Sequence, residues 1–279
     1  MKYRLFLLMF SLFLMAGLSA CAAVRAANDR EMEMIAPAYE REAAVPPEAS
    51  GSPAQQNPAS GASVSDYTQF LTDDGLNPVT IESFLQLKLD WEEGHTSLYL
   101  QDDTGAYYVY RLACTQEEYE ALLPGQKLRV TGYKTEFSGE PELTDATFSV
   151  LEGTFLAEPV AVPDSVDADG LYRYVNHKIT LRGFRIEPMF DGRSAFFYGW
   201  DNSGSAEEGS DLYFTVSGSG FSCQAVVKTQ MQTPEAEVYR TVQSLQLYDR
   251  VELSGILTWY NGPQLLVTAV SVLSQEVVF

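Results

Sequence analysis

Two stretches of this chain repeat each other at a fixed distance, so any fold must seat the same unit twice. Leu128-Arg129-Val130-Thr131-Gly132 is matched by Val251-Glu252-Leu253-Ser254-Gly255, and Glu136-Phe137-Ser138-Gly139-Glu140-Pro141-Glu142-Leu143 by Trp259-Tyr260-Asn261-Gly262-Pro263-Gln264-Leu265. Gly132 to Gly255 and Gly139 to Gly262 share an offset of 123, while Pro141 to Pro263 and Val150 to Val272 share 122, as one deletion in the turn requires. Each copy alternates apolar with polar residues, turns at a glycine and alternates again. That is the pattern of a β-hairpin.

The segments upstream follow the same order. Ser97 to Tyr110 reads as strand, Asp/Gly turn and strand, and its counterpart begins at Ala195-Phe196-Phe197-Tyr198-Gly199-Trp200, runs through an insertion to about Ser210, and resumes as Asp211 to Val216. A short helix comes next in each copy. Thr115 and Glu118 have capping-box spacing ahead of Pro124-Gly125, and Thr233-Pro234 opens the second helix with a cap and a first-turn proline. A further strand precedes each set, Ile81 to Leu87 and Lys178 to Phe184.

Three strands, a helix and two strands is the order of the OB-fold, a five-stranded Greek-key barrel. The Asp-x-x-Gly turn, the Pro-Gly after the helix and the glycine of the fourth strand resemble bacterial OB-like domains over residues 75–155 and 175–275. A tandem SH3-like barrel or two half-sandwiches shares many of these signals, and the helix before the fourth strand favours the OB order. The expectation is a mainly β chain of two tandem OB-like barrels, each with one short helix before its fourth strand, at residues 65–158 and 165–279.

The N-terminus has a different character. Lys2 and Arg4 precede the apolar run Leu5 to Ala16, which is followed by the small residues Gly17, Ser19 and Ala20. This is the pattern of a secretory signal, and the run is shorter than the roughly 20 residues of a spanning helix. Leu18-Ser19-Ala20-Cys21 resembles the lipobox of bacterial lipoproteins. The resemblance implies cleavage before Cys21, a thioether lipid on its sulfur, and N-acylation of the freed amine in many species. Residues 1–20 are then signal peptide, and the chain is held in the bilayer outside the cytoplasm, in the outer membrane if the cell is Gram-negative. Residues 21–64, rich in Ala, Pro, Ser and Gly, read as a tether that buries too little apolar surface to fold.

Charge narrows the partners. The chain carries 18 Lys and Arg against 38 Asp and Glu, a formal net charge of −20. Nucleic-acid binding draws most of its affinity from basic groups neutralising phosphates, so this balance disfavours nucleic acid as a partner. An envelope protein or a glycan suits it better, with an extracellular single-stranded nucleic-acid binder as the alternative. The second module is the less acidic, with Arg173, Lys178, Arg182, Arg185 and Arg193 over its start. No nucleophile motif or phosphate loop is present, and His95 and His177 stand far apart without flanking ligands, so neither catalysis, a cofactor nor a transition metal is expected. Asp102-Asp103-Thr104-Gly105, echoed by Asp201-Asn202-Ser203-Gly204, offers oxygens to Ca²⁺, but a hairpin turn asks for the same residues. Cys114 and Cys223 are either a disulfide or two buried thiols.

The candidate ligand surface is aromatic. Tyr99, Tyr108, Tyr133, Phe137, Tyr198, Trp200, Trp259 and Tyr260 fall on the strands and last loops that form the usual OB binding face. Tyr107 and Tyr108 are adjacent on one strand, so they point to opposite faces.

Overall fold

Alternation sets the first barrel. Every second residue of β1 (Val79–Lys88) turns inward, and Ile81 and Leu85 are fully buried. The computed structural model describes residues 63–199, 206–231 and 236–274, all within one compact unit, Pro47–Phe279. β2 (His95–Gln101), β3 (Ala106–Ala113), β4 (Gln126–Phe137) and β5 (Glu140–Thr154) complete a closed barrel in the order β1-β2-β3-β5-β4. All pairings but one are antiparallel, and β3 runs parallel to β5. Its core includes Leu98, Leu100, Tyr107, Val109, Leu128, Val130 and Leu143.

The second barrel repeats this order. β7 (Lys178–Glu187), β9 (Leu212–Ser217), β10 (Ser222–Val227), β11 (Arg250–Trp259) and β12 (Pro263–Ser274) follow one another as β9-β10-β12-β11-β7, with β10 parallel to β12. Pairing of β7 with β9 closes the ring. Two short strands, β6 (Val160–Val162) and β8 (Phe197–Tyr198), extend it at the edges. The strand order is that of the OB-fold in both units, as the resemblance implied. Leu128 pairs with Val150 and Val251 with Val272, so the sequence offsets reappear as register.

The repeated glycines explain themselves at this level. Gly132 and Gly255 sit where strand 4 bulges against strand 5. A Cβ at Gly132 would lie 2.8 Å from the Thr144 carbonyl oxygen, and one at Gly255 only 2.0 Å from that of Leu266. The strands approach too closely for any side chain.

Four helices accompany the strands among the described residues. α2 (Gln116–Ala121) carries the expected capping box: the Thr115 hydroxyl accepts from the Glu118 amide at 3.2 Å, and the Glu118 carboxylate accepts from the Thr115 amide at 2.8 Å. α4 (Glu237–Gln243) stands in the equivalent place but starts later than expected, with Ala236 as an N-cap that makes no side-chain bond. Thr233 and Pro234 lie outside the described residues. Two helices are additions to the sequence reading. α1 (Tyr67–Thr72) is capped by Asp66 and buries Phe70; α3 (Ala168–Tyr172) is capped by Asp167 and buries Leu171. Before each, a short segment pairs parallel with strand 1, Val64 with Thr80 and Ala161 with Thr180. The repeat unit therefore begins ahead of the barrel.

One strand assignment needs correction. Sequence placed the second copy's strands 2 and 3 at Ala195–Trp200 and Asp211–Val216, but the ring uses β9 and β10. The aromatic run at 195–200 has strand composition yet forms only the two-residue edge strand β8. The hairpin turn equivalent to Asp102–Gly105 is Gly218-Ser219-Gly220, closed by the Gly218 amide to the Phe221 carbonyl at 3.0 Å. Asp201–Gly204 lies outside the described residues. β10 alternates Ser222 and Gln224 with buried Cys223 and Ala225, but over only four residues and with small side chains that carry little strand preference.

Candidate functional site

Tyr99 and Tyr108 are partners on β2 and β3, and their rings stack at 4.7 Å with an interplanar angle of 22°. Tyr107 fills the barrel core, as the alternation requires. Tyr108 takes the other face and is also buried, because the second barrel covers it. Tyr99, Tyr108, Met189, Phe197, Tyr213, Val226, Ile256 and Leu266 form a third apolar cluster between the two barrels, with Leu87, Tyr110 and Phe190 at its margin. The strand 2–strand 3 faces of the two barrels thus meet each other. Part of the seal comes from the long β7–β9 connection, which brings Met189 and Phe197 to the contact.

The last turns complete the clasp. The Asn261 amide donates to the Ser138 carbonyl at 2.8 Å, joining the tips of the two strand 4–strand 5 hairpins. The Tyr172 hydroxyl donates to the Gly139 carbonyl at 2.8 Å and its ring meets Trp259 edge-on at 5.0 Å. Phe137 and Tyr260 lie 6.0 Å apart across the same turns. Asn176 donates to the Pro141 carbonyl at 3.1 Å, and Gln101 accepts from the Lys178 amide at 2.9 Å. Burial pushes the nearby His177 imidazole below its ordinary value.

Of the eight aromatics expected to meet ligand, Tyr99, Tyr108, Phe137, Trp259 and Tyr260 are therefore brought together, but at the barrel–barrel contact. Tyr198 is half-buried, and its hydroxyl accepts from Gln243 at 3.0 Å. Tyr133 is exposed on β4. Trp200 lies outside the described residues, as does Cys21.

The acidic turn is occupied by its own backbone. Asp102 Oδ1 accepts from the Thr104 amide at 2.7 Å, the Thr104 hydroxyl at 2.6 Å and the Gly105 amide at 3.1 Å. Among the described residues no group of three His, Cys, Asp or Glu side chains converges as a metal site. Cys114 and Cys223 are buried free thiols, pushed by burial up to about 11 and about 12 respectively. Among the described residues no helix is long and apolar enough to cross a membrane.

A surface that sequence left scattered is gathered by register. On the outer face of β7 and β11, Arg185 stands directly opposite Arg250, and Arg182 opposite Glu252. Arg182 bonds Glu252 at 2.8 Å, Arg185 bonds Glu187 at 2.8 Å and lies over the Tyr248 ring at 5.3 Å, and Arg250 donates to the Gly183 carbonyl at 2.8 Å. Arg185 and Arg250 thus face each other across the ladder, each held by a partner of its own. Arg250 was legible only by carrying Lys127 forward through the offset of 123.

No family model matches the chain, and no curated protein matches it. Solved structures do. A single-stranded DNA binding protein from Thermus aquaticus is 15% identical over 74% of this chain and 96% of its own, with a TM-score of 0.23. A replication protein A heterotrimer bound to ssDNA is 16% identical over 28% of this chain, with a TM-score of 0.24; the chain spans 59% of that protein's length. A murine DNA binding protein bound with ds DNA is 11% identical over 68% of this chain and 94% of its own, with a TM-score of 0.30. Both units are OB-like barrels. All three are described as binding single- or double-stranded DNA, so the expectation that nucleic acid is an unlikely partner is not carried further.

Proposed function

We propose that this chain is a non-catalytic binding protein in which two OB-like barrels act as one body, carried outside the cytoplasm on a lipid at Cys21. The ligand class its surface suits best is single-stranded nucleic acid. The observation behind this choice is the outer β7–β11 ladder, where Arg182, Arg185 and Arg250 share one face with Tyr248. The aromatic platform that would have stacked bases or sugars is spent on the barrel–barrel contact, which leaves this ladder to carry the binding. An envelope protein or glycan is the competing ligand, met on the remaining exposed surface.

Two measurements test this. The lipid-free full chain carrying Cys21→Ser is expected to retain an oligodeoxythymidine at low salt and to lose it as salt rises, because counterion release drives such binding. R182E with R250E should weaken retention about tenfold or more, at roughly 1 kcal/mol or above for each phosphate no longer neutralised. No retention by the parent at low salt would remove the nucleic-acid reading and leave the envelope ligand. Separately, Cys21→Ser is expected to move the protein from the membrane fraction to the soluble fraction, since a lipid chain contributes about 0.8 kcal/mol per buried CH₂. A serine variant that still sediments with membranes would refute the anchor.

A further inference from the structure

The two barrels carry the same strand 1–strand 4 ladder with its charges exchanged. In the first, the Thr80 and Thr131 hydroxyls bond at 2.8 Å, and two residues along Glu82 faces Arg129. Glu82 accepts from Arg129 Nη2 at 2.5 Å and from Lys127 at 2.7 Å. In the second, the Thr180 and Ser254 hydroxyls bond at 2.7 Å, and two residues along Arg182 faces Glu252 at 2.8 Å. Thr131 and Ser254, then Arg129 and Glu252, then Lys127 and Arg250, are all related by the offset of 123. The hydroxyl pair is kept in kind, whereas the ion pair is kept with its polarity reversed.

This matters because the chain holds two copies of one barrel. Strand 1 of either copy presents the same apolar inner face, β1 with Ile81 and β7 with Ile179 and Leu181. The apolar pattern alone does not tell β1 to close on β4 rather than on β11, and tandem repeats misassemble along such routes. Hybrid closure would set Glu82 opposite Glu252 and Arg182 opposite Arg129. Like charges directly opposite on a ladder are destabilising. We propose that the charge-exchanged ladder is a pairing code that keeps strand 1 of each barrel from closing on strand 4 of the other, within one chain or between two copies. Hydrogen bonds from Lys127 and Arg129 hold the Glu82 carboxyl below its ordinary value, so the code is charged at neutral pH.

The test separates fidelity from stability. R182E/E252R gives the second barrel the polarity of the first, placing a carboxylate between two cationic side chains as Glu82 stands now. In the full chain with Cys21→Ser, its thermal midpoint should equal or exceed the parent's. Diluted from denaturant over a range of concentrations, it should nevertheless yield several-fold more dimer and misfolded chain by size-exclusion chromatography. Reversing both ladders with E82R/R129E/R182E/E252R makes the polarities opposite again and should restore the monomer. Refolding of R182E/E252R with the parent's monomer yield would overturn the proposal. So would a loss of yield that the fourfold variant fails to recover, since that loss would belong to local damage.

Discussion

Tyr108→Ala is expected to cost about 3–5 kcal/mol, the range for removing a buried aromatic, and to divide one thermal transition into two. Its ring is buried against Tyr99 and lies in the cluster that joins the barrels, outside either barrel's inner core. Losing it opens a cavity in the seam while leaving both closed rings intact. Calorimetry is the direct readout: the parent should unfold as one unit, and Tyr108→Ala as two. Tyr107→Ala is the control, because it removes a ring of the same size from the first barrel's own core. That control leaves the seam in place and should lower the transition without dividing it. A single, barely shifted transition for Tyr108→Ala would show that the seam contributes little to cohesion.

The second large effect belongs to Gly255. Its added Cβ would meet three backbone atoms of β12: the Leu266 oxygen at 2.0 Å, the Leu266 carbon at 2.9 Å and the Val267 Cα at 3.1 Å. Backbone cannot rotate away, and β12 is held on its other side by β10. Gly255→Ala should therefore cost about 3 kcal/mol, the upper end for overpacking. Gly132→Ala should cost less, because one of its close contacts is the Ala146 methyl at 2.9 Å. Gly183→Ala provides a contrast. Nothing lies within 4 Å of its Cβ, but its φ of +77° is left-handed, so about 1–2 kcal/mol is expected from backbone strain alone. Urea midpoints of the three variants give the order, and a Gly255→Ala midpoint at or above that of Gly183→Ala would contradict it.

Much of the fold was legible because hairpins are local. The offset of 123 placed β4 and β11 in the same role, and Thr115 with Glu118 announced α2 through side chains three residues apart. What escaped was governed by distant partners. The run Ala195–Trp200 looks like a strand by composition, but only a neighbouring strand decides whether it joins the ring. Gly218 and Gly220 are hairpin glycines that also let the chain pass against Asp164 and Val166, segments far apart in sequence. α1 and α3 are too short for periodicity, and their shared Asp caps become a signal only once the barrels are superimposed. The aromatic candidates were found, yet alternation tells which face a ring takes and not what covers that face. For Tyr99 and Tyr108 the cover is the other barrel.

The lead-in to β1 has a mechanical consequence. Load travelling along the chain into residue 63 meets the bond from the Ser65 amide to the Thr80 carbonyl first, then the six-residue α1, then the seated ring of Phe70. These yield one after another, as a zip does. β1 itself is gripped on both sides, by β2 and by β4, and would have to slide past both at once. A modest pull thus spends itself on lengthening the lead-in, and the barrel behind it stays closed. The segment is thus placed to give way ahead of β1.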